Sequence, residues 1–398
     1  VIMVWECKTA LLQRVNNDAL FGQIRFGGLL MDVLILSIAA GGGHMRAAQA
    51  VRDYMERHYE NVNVEIVDWF KYVNPVVDKV VIGGYIGTLK TSPTLYGKLY
   101  DMAEKEEGIS DISLTINRLL ALRMEALISK KKPKIILCTH PFPLEVVCYL
   151  KKKKKLDSHI ISLLTDFSPH SFWIRDGVDY YIVHDRDLVY EMKWKGVPED
   201  SIYPLGIPID ERFGAHYDGK EIRRSLGLTD KTTLLLMGGS LGMGELKEVF
   251  TGLFFSSLDI QIIAVCGNNK KLKRSLETIA SSNTARSIIL GYTDEVPSLM
   301  AASDLLITKP GGLTASEAMA MGLPIVIISP IPGQEKRNAR YLINSGMAVQ
   351  LNRGDYLEGV LSQLLESPVR LSHMREIAAL KAKPGAAADL CRFLVSLL

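Results

Sequence analysis

The chain of 398 residues has no apolar run long enough to cross a membrane. Its longest aliphatic stretches, residues 33–40 and 325–328, have the length of buried strands, whereas a helix that spans a bilayer takes about 20 apolar residues. Residues 1–30 lack the charged start, apolar centre and small-residue cleavage site of a secretory signal. The 5 cysteines show no CxxC or other metal-ligand spacing. This pattern indicates reduced thiols and a cytoplasmic protein.

An excess of charge of one sign is also lacking. The formal net charge is only +3, so nucleic acid is not an expected partner. Basic residues are concentrated in a cluster at 130–134 and in a run at 151–155, which begins with Lys151, Lys152 and Lys153. Each is consistent with a solvated helix end, but two such ends side by side could form one patch that faces anionic membrane lipids.

Short apolar segments alternate with helix-length segments along most of the chain, which predicts an α/β protein with parallel sheets. The predicted strands are 33–39, 62–67, 135–138, 159–164 and 180–183, then 233–237, 260–265, 287–290, 304–308, 325–328 and 347–350. We therefore expect two doubly wound domains, 31–207 and 208–385, with a hinge near 205–216. Residues 386–398 are expected to form a terminal helix that packs back on the first domain. Residues 1–30 fit neither domain and are expected to be an extension before a natural start at Met31.

A glycine loop follows the first predicted strand. Gly42 and Gly43 precede His44 at the start of a predicted helix. Such a loop lets a ligand approach the backbone, and a helix N-terminus favours negative charge. A tight structural turn would also use glycines, but it has no need of an imidazole, which can remove a proton near neutral pH.

A second glycine loop, with Gly239, Ser240 and Gly242, follows the first strand of the second domain. Its backbone N–H groups and the serine hydroxyl are suited to a diphosphate. The Walker pattern GxxxxGK[ST] is absent from the sequence, which disfavours ATP hydrolysis.

Two further loops at strand ends, each together with the start of the helix that follows it, carry glycines or residues with polar side chains. The first loop has Lys309, Gly311 and Gly312, with Glu317 expected in the first turn of the following helix, and the second has Gln334, Glu335 and Asn338. A carboxylate can accept both hydroxyls of a ribose, and residues one turn apart can bind sugar hydroxyls. For each residue alone a capping or surface role is the simpler interpretation, but their occurrence together at consecutive strand ends indicates a binding site.

Together these motifs resemble the diacylglycerol glycosyltransferases, the group of monogalactosyldiacylglycerol synthase and processive diacylglycerol glucosyltransferase, which is related to the N-acetylglucosaminyltransferase that makes lipid II. The resemblance covers residues 32 to about 397 and rests on GGGH, GGSxG, KPGGLTxSEAxAxGLP and PIPGQExxN, with THPFP at 139–143 and TDFSPHSFW at 165–173. It implies a GT-B fold, a UDP-sugar in the C-terminal domain and a lipid acceptor in the N-terminal domain.

The resemblance also implies a role for individual residues. His44 is the catalytic base, Glu317 contacts the ribose, and Tyr292 lies where uracil is held by backbone contacts. Gly239, Ser240 and Gly242 hold the diphosphate, and Gln334, Glu335 and Asn338 hold the hexose and phosphate, with Lys309, Gly311 and Gly312 completing the donor site. The acceptor side is expected to include Gly42, Gly43, His140 and Trp173, with Lys151, Lys152 and Lys153 facing the membrane.

The expected activity is therefore inverting transfer of a hexose from UDP-hexose to diacylglycerol, without metal or cofactor, by a peripheral protein on the inner face of the cell membrane. Residues 75–104 are either an ordinary helical pair or an amphipathic lid. Asp185 and Asp187 form a DxD, for which helix capping is the favoured interpretation over metal binding. A soluble UDP-N-acetylglucosamine 2-epimerase and a non-catalytic UDP-sugar sensor remain as alternatives.

Overall fold

The computed structural model describes residues 31–39, 42–73, 110–154, 156–239, 242, 245–283, 286–352 and 354–398. The extension 1–30 and the segment 75–104 lie outside the described residues, as do Ser240 and the last residue of the lysine run.

The first domain is built on a parallel sheet of six strands in the order β2-β1-β3-β4-β5-β6. Its strands are β1 (Val33–Ser37), β2 (Val64–Asp68), β3 (Ile135–Cys138), β4 (His159–Leu163), β5 (Tyr180–Ile182) and β6 (Ile202–Tyr203). Its helices are α1 (Gly43–His58), α2 (Trp69–Val73), α3 (Ser110–Lys131), α4 (Pro141–Lys154) and α5 (Arg186–Trp194).

The second domain has a parallel sheet of six strands in the order β12-β11-β10-β7-β8-β9. Its strands are β7 (Thr232–Met237), β8 (Ile260–Val265), β9 (Ser287–Leu290), β10 (Leu305–Thr308), β11 (Ile325–Ile328) and β12 (Ala348–Leu351). The helices are α6 (Gly219–Ser225), α7 (Leu246–Phe254), α8 (Lys270–Ala280), α9 (Val296–Ala301), α10 (Gly312–Ala320), α11 (Gln334–Asn344), α12 (Leu357–Leu365), α13 (Pro368–Lys381) and α14 (Ala386–Val395).

The strands form where the sequence is continuously apolar. All residues of β1, β3, β8, β10 and β11 are buried, as expected for parallel strands covered on both faces. The predicted α/β class and the predicted strands are confirmed to within a few residues. The two-residue strand β6 was not predicted, because a pair of residues carries no periodic signal.

The strand order places one reversal of direction in each sheet. In the first sheet the chain winds from β1 to β2 and then crosses to β3 on the other side of β1. In the second it winds through β7, β8 and β9 and then crosses to β10 beside β7. Ligands of doubly wound sheets bind at such switch points, at the carboxyl ends of the strands. The loops after β1, β3, β7 and β10 are therefore the ones placed for chemistry.

The C-terminal helix α14 packs on the first domain. Leu390 and Leu394 are fully buried in one apolar cluster with Val33 and Val51, and the Cys391 thiol donates to the Val51 carbonyl across 3.5 Å. The chain thus crosses between the domains twice, once before β7 and once before α14. Among the described helices, none is both long and apolar enough to cross a membrane.

A short segment of the first domain, residues 165–167 after β4, is seated on the second domain. The Phe167 side chain belongs to the apolar core of the second domain and stacks on Tyr341 with ring centroids 4.9 Å apart. At the start of α10, a Cβ added to Gly312 would lie 2.0 Å from the Thr165 carbonyl oxygen. Only glycine fits this approach of two backbones.

We expect Gly312→Ala to destabilise the protein by about 1–3 kcal/mol, the scale of overpacking a filled site, because the clashing atom is a backbone oxygen. Gly311→Ala is the matched control: nothing lies within 4 Å of an added Cβ there, so its cost stays near that of a changed helix cap, below about 1 kcal/mol. Urea unfolding followed by circular dichroism measures both. Equal stability of the two variants would contradict this account of the domain contact.

Candidate active site

A cleft of about 540 Å³ separates the two domains at the carboxyl ends of their strands. From the first domain it is lined by the start of α1 and by residues 165 and 166. From the second it is lined by the loops after β7, β9, β10 and β11. The fold thus brings the glycine loops of both domains, which are about 200 residues apart in the sequence, to one cavity.

His44 lies on the first-domain wall of this cleft, as the second residue of α1. The second domain forms the opposite wall, where the donor is expected. Gly42 caps the helix with a φ of 85°, a backbone conformation that favours glycine. The His44 Nδ1 atom lies 2.8 Å from the Thr139 carbonyl oxygen and 2.8 Å from the Thr165 Oγ1 atom. A carbonyl only accepts, so Nδ1 carries the hydrogen. The Nε2 lone pair is then left to accept a proton.

The pKa of His44 lies below its usual value because of burial, while the charge of Asp166 and the hydrogen bond to the Thr139 carbonyl partly offset that effect. His140 contacts His44 edge to face, with ring centroids 4.6 Å apart. Burial and the neighbouring His44 hold the pKa of His140 well below its usual range. Both imidazoles are therefore neutral at pH 7, which is the form that a general base needs.

The two aromatic residues expected near the acceptor, His140 and Trp173, lie next to His44 but do not line the cleft. The Trp173 ring lies 6.3 Å from that of His44, and only 2% of its surface is exposed. The His140 ring stacks on Phe142 with centroids 5.2 Å apart. Phe142 is 53% exposed, so it is the aromatic side chain of this group that faces solvent.

On the donor wall, the glycine loop after β7 and the start of α10 present backbone N–H groups. Gly239 and Gly242 have φ values of 67° and 53°. A Cβ on Gly242 would lie 2.4 Å from the Cys266 carbonyl oxygen, so this turn requires glycine. Gly311 is the N-cap of α10, and it lines the cleft together with Gly239 and Gly312. The helix end and the glycine loop form a surface suited to an anion.

Glu317 lines the same cleft in the second turn of α10, because the helix begins at Gly312. The sequence had placed it in the first turn, which was wrong. Within the described part of the chain no hydrogen bond reaches its carboxyl group. Burial raises the pKa of Glu317 to about 8, although the nearby Arg46 guanidinium lowers it. This carboxyl group is therefore available to a ligand, and a ligand that donates hydrogen bonds to it would favour its ionised form.

The residues expected to hold the hexose are bonded within the protein. Lys309 Nζ lies 2.7 Å from Glu335 Oε1, and Glu335 Oε2 accepts from the Ile331 N–H across 2.8 Å. Gln334 donates to Asp166. Asn338 is 1% exposed, and both ends of its amide bind the first domain. The structure thus brings these residues to one wall but orients Asn338 toward the protein.

Arg46 is a cleft residue to which the sequence assigned no role. It lies in the first turn of α1 and donates across the cleft to the Tyr292 hydroxyl and, over 2.8 Å, to Asp294. Tyr292 is thereby held at the mouth of the cleft, 51% exposed. A signal was present, since a cation in the first turn of a helix opposes the helix dipole and needs an acidic partner from elsewhere.

The two lysine clusters lie next to each other at the end of the first sheet that is opposite the cleft. They end α3 and α4, immediately before the amino ends of β3 and β4, whereas the cleft lies at the carboxyl ends. Several of the charges are already paired: Lys131 with Glu65 at 2.5 Å, Lys134 with Asp32 at 3.0 Å, Lys151 with Asp179, and Lys152 with Asp176 at 2.6 Å. Lys153 is exposed.

The DxD pair has a structural role. The Asp185 carboxylate caps α5 by accepting from the Asp187 and Leu188 N–H groups, and it also accepts from the Tyr341 hydroxyl and from Lys381. The capping interpretation is confirmed. No cluster of three metal-ligating side chains occurs among the residues that the structure describes.

Comparisons with known proteins agree with this geometry. Residues 44–209 match the family model described as monogalactosyldiacylglycerol (MGDG) synthase, and residues 233–390 match the glycosyltransferase family 28 C-terminal domain. Among solved structures, MurG of Acinetobacter baumannii has a TM-score of 0.63 at 14% identity and covers 92% of this chain and 99% of its own. Anabaena HepE in complex with UDP and glucose has a TM-score of 0.55 at 16% identity and covers 92% of this chain and 100% of its own. The expected GT-B fold is confirmed.

The processive diacylglycerol beta-glucosyltransferase of Staphylococcus carnosus is 31% identical over 371 residues, which are 92% of this chain and 93% of that protein. The chain therefore belongs to the diacylglycerol glycosyltransferase family.

Proposed function

We propose that this protein transfers a hexose from a UDP-hexose to the hydroxyl group of diacylglycerol, with inversion at the anomeric carbon. The observation that carries the proposal is the fixed tautomer of His44, a residue that lines a cleft with glycine loops suited to an anion on its other wall. The names of relatives support the substrates: a similar enzyme is called a diacylglycerol beta-glucosyltransferase, and HepE was solved with UDP and glucose.

In the proposed reaction, His44 Nε2 takes the proton of the acceptor hydroxyl while its oxygen attacks the anomeric carbon. The bond from that carbon to UDP breaks, and the electron pair leaves with the diphosphate. The backbone N–H groups at Gly239 and at the start of α10 stabilise the departing negative charge. Attack from the face opposite the leaving group turns an α-linked donor into a β-glycoside. We propose that no metal ion or cofactor takes part, because backbone N–H groups at the helix ends stabilise the negative charge of UDP. The UDP-sugar itself is a substrate.

The cleft favours a transferase over the two alternatives. A 2-epimerase needs additional acid and base carboxylates at the sugar, but Glu335 is paired with Lys309 and Asp166 is bonded to two amides. A sensor needs no base of fixed tautomer. UDP release that depends on added diacylglycerol would distinguish the transferase from both.

We further propose that Glu317 accepts hydrogen bonds from the ribose hydroxyls and that the loop around Tyr292 holds the uracil. Because the acceptor is a membrane lipid, we also propose that the protein works as a peripheral enzyme on the inner face of the cell membrane. Lysines at the ends of α3 and α4 that form no ion pair among the described residues, such as Lys153, would add attraction to anionic lipids.

We expect His44→Ala to lower transfer by about 10²–10⁴-fold, the contribution of a general base, and to leave UDP affinity within a few-fold. Transfer is measured as UDP release with diacylglycerol vesicles, and affinity by calorimetry. His373→Ala, an exposed histidine on α13, is the control and should keep the parent rate. Transfer by His44→Ala at a rate close to that of the parent would remove His44 from the role of base.

UDP binding should depend on the ionisation of Glu317. With a pKa near 8 in the unliganded protein, this carboxyl is mostly protonated at pH 7, and ribose hydroxyls favour its ionised form. Binding at pH 7 should therefore release a proton, and UDP affinity should weaken as the pH falls below 8. Glu317→Gln should bind UDP about 1–3 kcal/mol more weakly and should lose this proton release. Calorimetry in buffers of different ionisation enthalpy measures both. Equal proton release by parent and variant would exclude Glu317 from the ribose site.

For the membrane, we expect the triple change Lys151→Gln, Lys152→Gln and Lys153→Gln to weaken binding to anionic vesicles and to flatten its salt dependence. Each lysine near such a surface contributes at most about 1 kcal/mol, which is screened within ~8 Å at physiological salt. Lys151 and Lys152 contribute less than Lys153, because they are paired with Asp179 and Asp176. A triple change of equal charge on α8, Lys270→Gln, Lys271→Gln and Lys273→Gln, is the control. If both variants sediment with anionic vesicles as the parent does, the lysines of α4 form only a solvated helix end.

A further inference from the structure

The 165–167 segment lies between the base and the donor wall. Its first residue, Thr165, places Oγ1 at 2.8 Å from His44 Nδ1. Its last residue, Phe167, donates its N–H to Asn338 Oδ1 over 2.9 Å and packs in the core of the second domain. Both side chains are almost fully buried. A movement of this segment would therefore shift the base and the donor wall together.

Asp166, in the middle of this segment, is a buried carboxylate whose two oxygens bind the second domain. Oδ1 accepts from Asn338 Nδ2 over 2.9 Å, and Oδ2 accepts from Gln334 Nε2. Both amides belong to the first two turns of α11. Only 3% of the Asp166 surface is exposed, yet the residue contributes to the lining of the cleft.

Among the described residues that surround His44, Asp166 carries the negative charge that can stabilise an imidazolium. From the β3–α4 loop it meets the Thr139 carbonyl and the neutral His140 ring, from the 171–173 turn the uncharged Trp173, and from the 165–167 segment Thr165 and Asp166. Burial disfavours a positive charge on His44, whereas the Asp166 carboxylate and the hydrogen bond to the Thr139 carbonyl favour one. No hydrogen bond joins Asp166 to His44 among the described contacts, since Nδ1 is occupied by Thr139 and Thr165.

We propose that Asp166 is a positioning residue of the transfer reaction: it fixes the amides of α11 against the acceptor domain, and its charge stabilises the imidazolium that His44 forms when it takes the acceptor proton. The inference rests on the proposed role of His44. One carboxylate thus holds the two domains in their relative position through its hydrogen bonds and raises the basicity of His44 through its charge.

The test is Asp166→Asn, which keeps the size of the side chain and removes its charge. The pKa of His44 should fall, so the acid limb of the kcat profile should move to lower pH by about one unit, the lower end of the effect of a nearby opposite charge. At the plateau kcat should fall about tenfold, less than the loss of a whole general base. UDP affinity should stay within a few-fold, because the nucleotide loops are elsewhere.

Two control variants distinguish the effect of the Asp166 charge from the effect of its hydrogen bonds to α11. Asp185→Asn also removes an interdomain carboxylate, the partner of Tyr341 and Lys381, but one that does not act on His44. Asn338→Ala removes the hydrogen bond from Asn338 to Asp166 and keeps the charge of Asp166. Both should leave the acid limb where the parent has it, whatever their effect on kcat.

The proposal is overturned if Asp166→Asn keeps the acid limb of the parent or moves it to higher pH, or if the control variants show the same shift. Loss of UDP binding by Asp166→Asn would also overturn it, because Asp166 would then serve the donor site or the fold. A failure of the proposed function looks different: the parent profile would have no acid limb, or His44→Ala would remain active.

Discussion

The contact of residues 165–167 with the starts of α10 and α11 is the constraint on which the site depends. The Thr165 carbonyl lies so close to Gly312 that no side chain fits between them, and Phe167 is part of the core of the other domain. A GT-B protein could hold its two sheets at many distances, since only two crossings of the chain join them. Here the seated segment sets the width of the cleft and, through Thr165, the orientation of His44.

The chemistry follows from what this arrangement places on each wall. At the switch point of the first sheet lies His44 with its proton on Nδ1, and at that of the second lie a glycine loop and a helix end that form a surface suited to an anion. Burial keeps both imidazoles neutral, Glu335 is paired with Lys309, and Asp166 accepts hydrogen bonds from two amides. Arg46 joins the walls at the mouth through Tyr292 and Asp294. The cleft thus combines a neutral imidazole on one wall with an anion-binding surface on the other, which is the arrangement that the proposed transfer requires.

The sequence predicted what depends on local pattern, which includes the two doubly wound domains, the glycine loops and the capping role of Asp185. It could not predict contacts between residues that are far apart in the chain. The burial of Asn338 and its bond to Asp166, the reach of Arg46 to Asp294, and the paired state of Lys151 and Lys152 all depend on such contacts. The TDFSPH sequence was identified as a motif, but the contact of residues 165–167 with the second domain could not be predicted from it.

The most direct test of the central claim is the structure of the product. Diacylglycerol vesicles are incubated with UDP-glucose and, in parallel, with UDP-galactose, and the lipid fraction is analysed by proton NMR. The account predicts a glycosyl diacylglycerol with the large anomeric coupling of a β-linkage, formed in step with UDP. An α-linked product, or conversion of the UDP-sugar without a glycolipid, would contradict it.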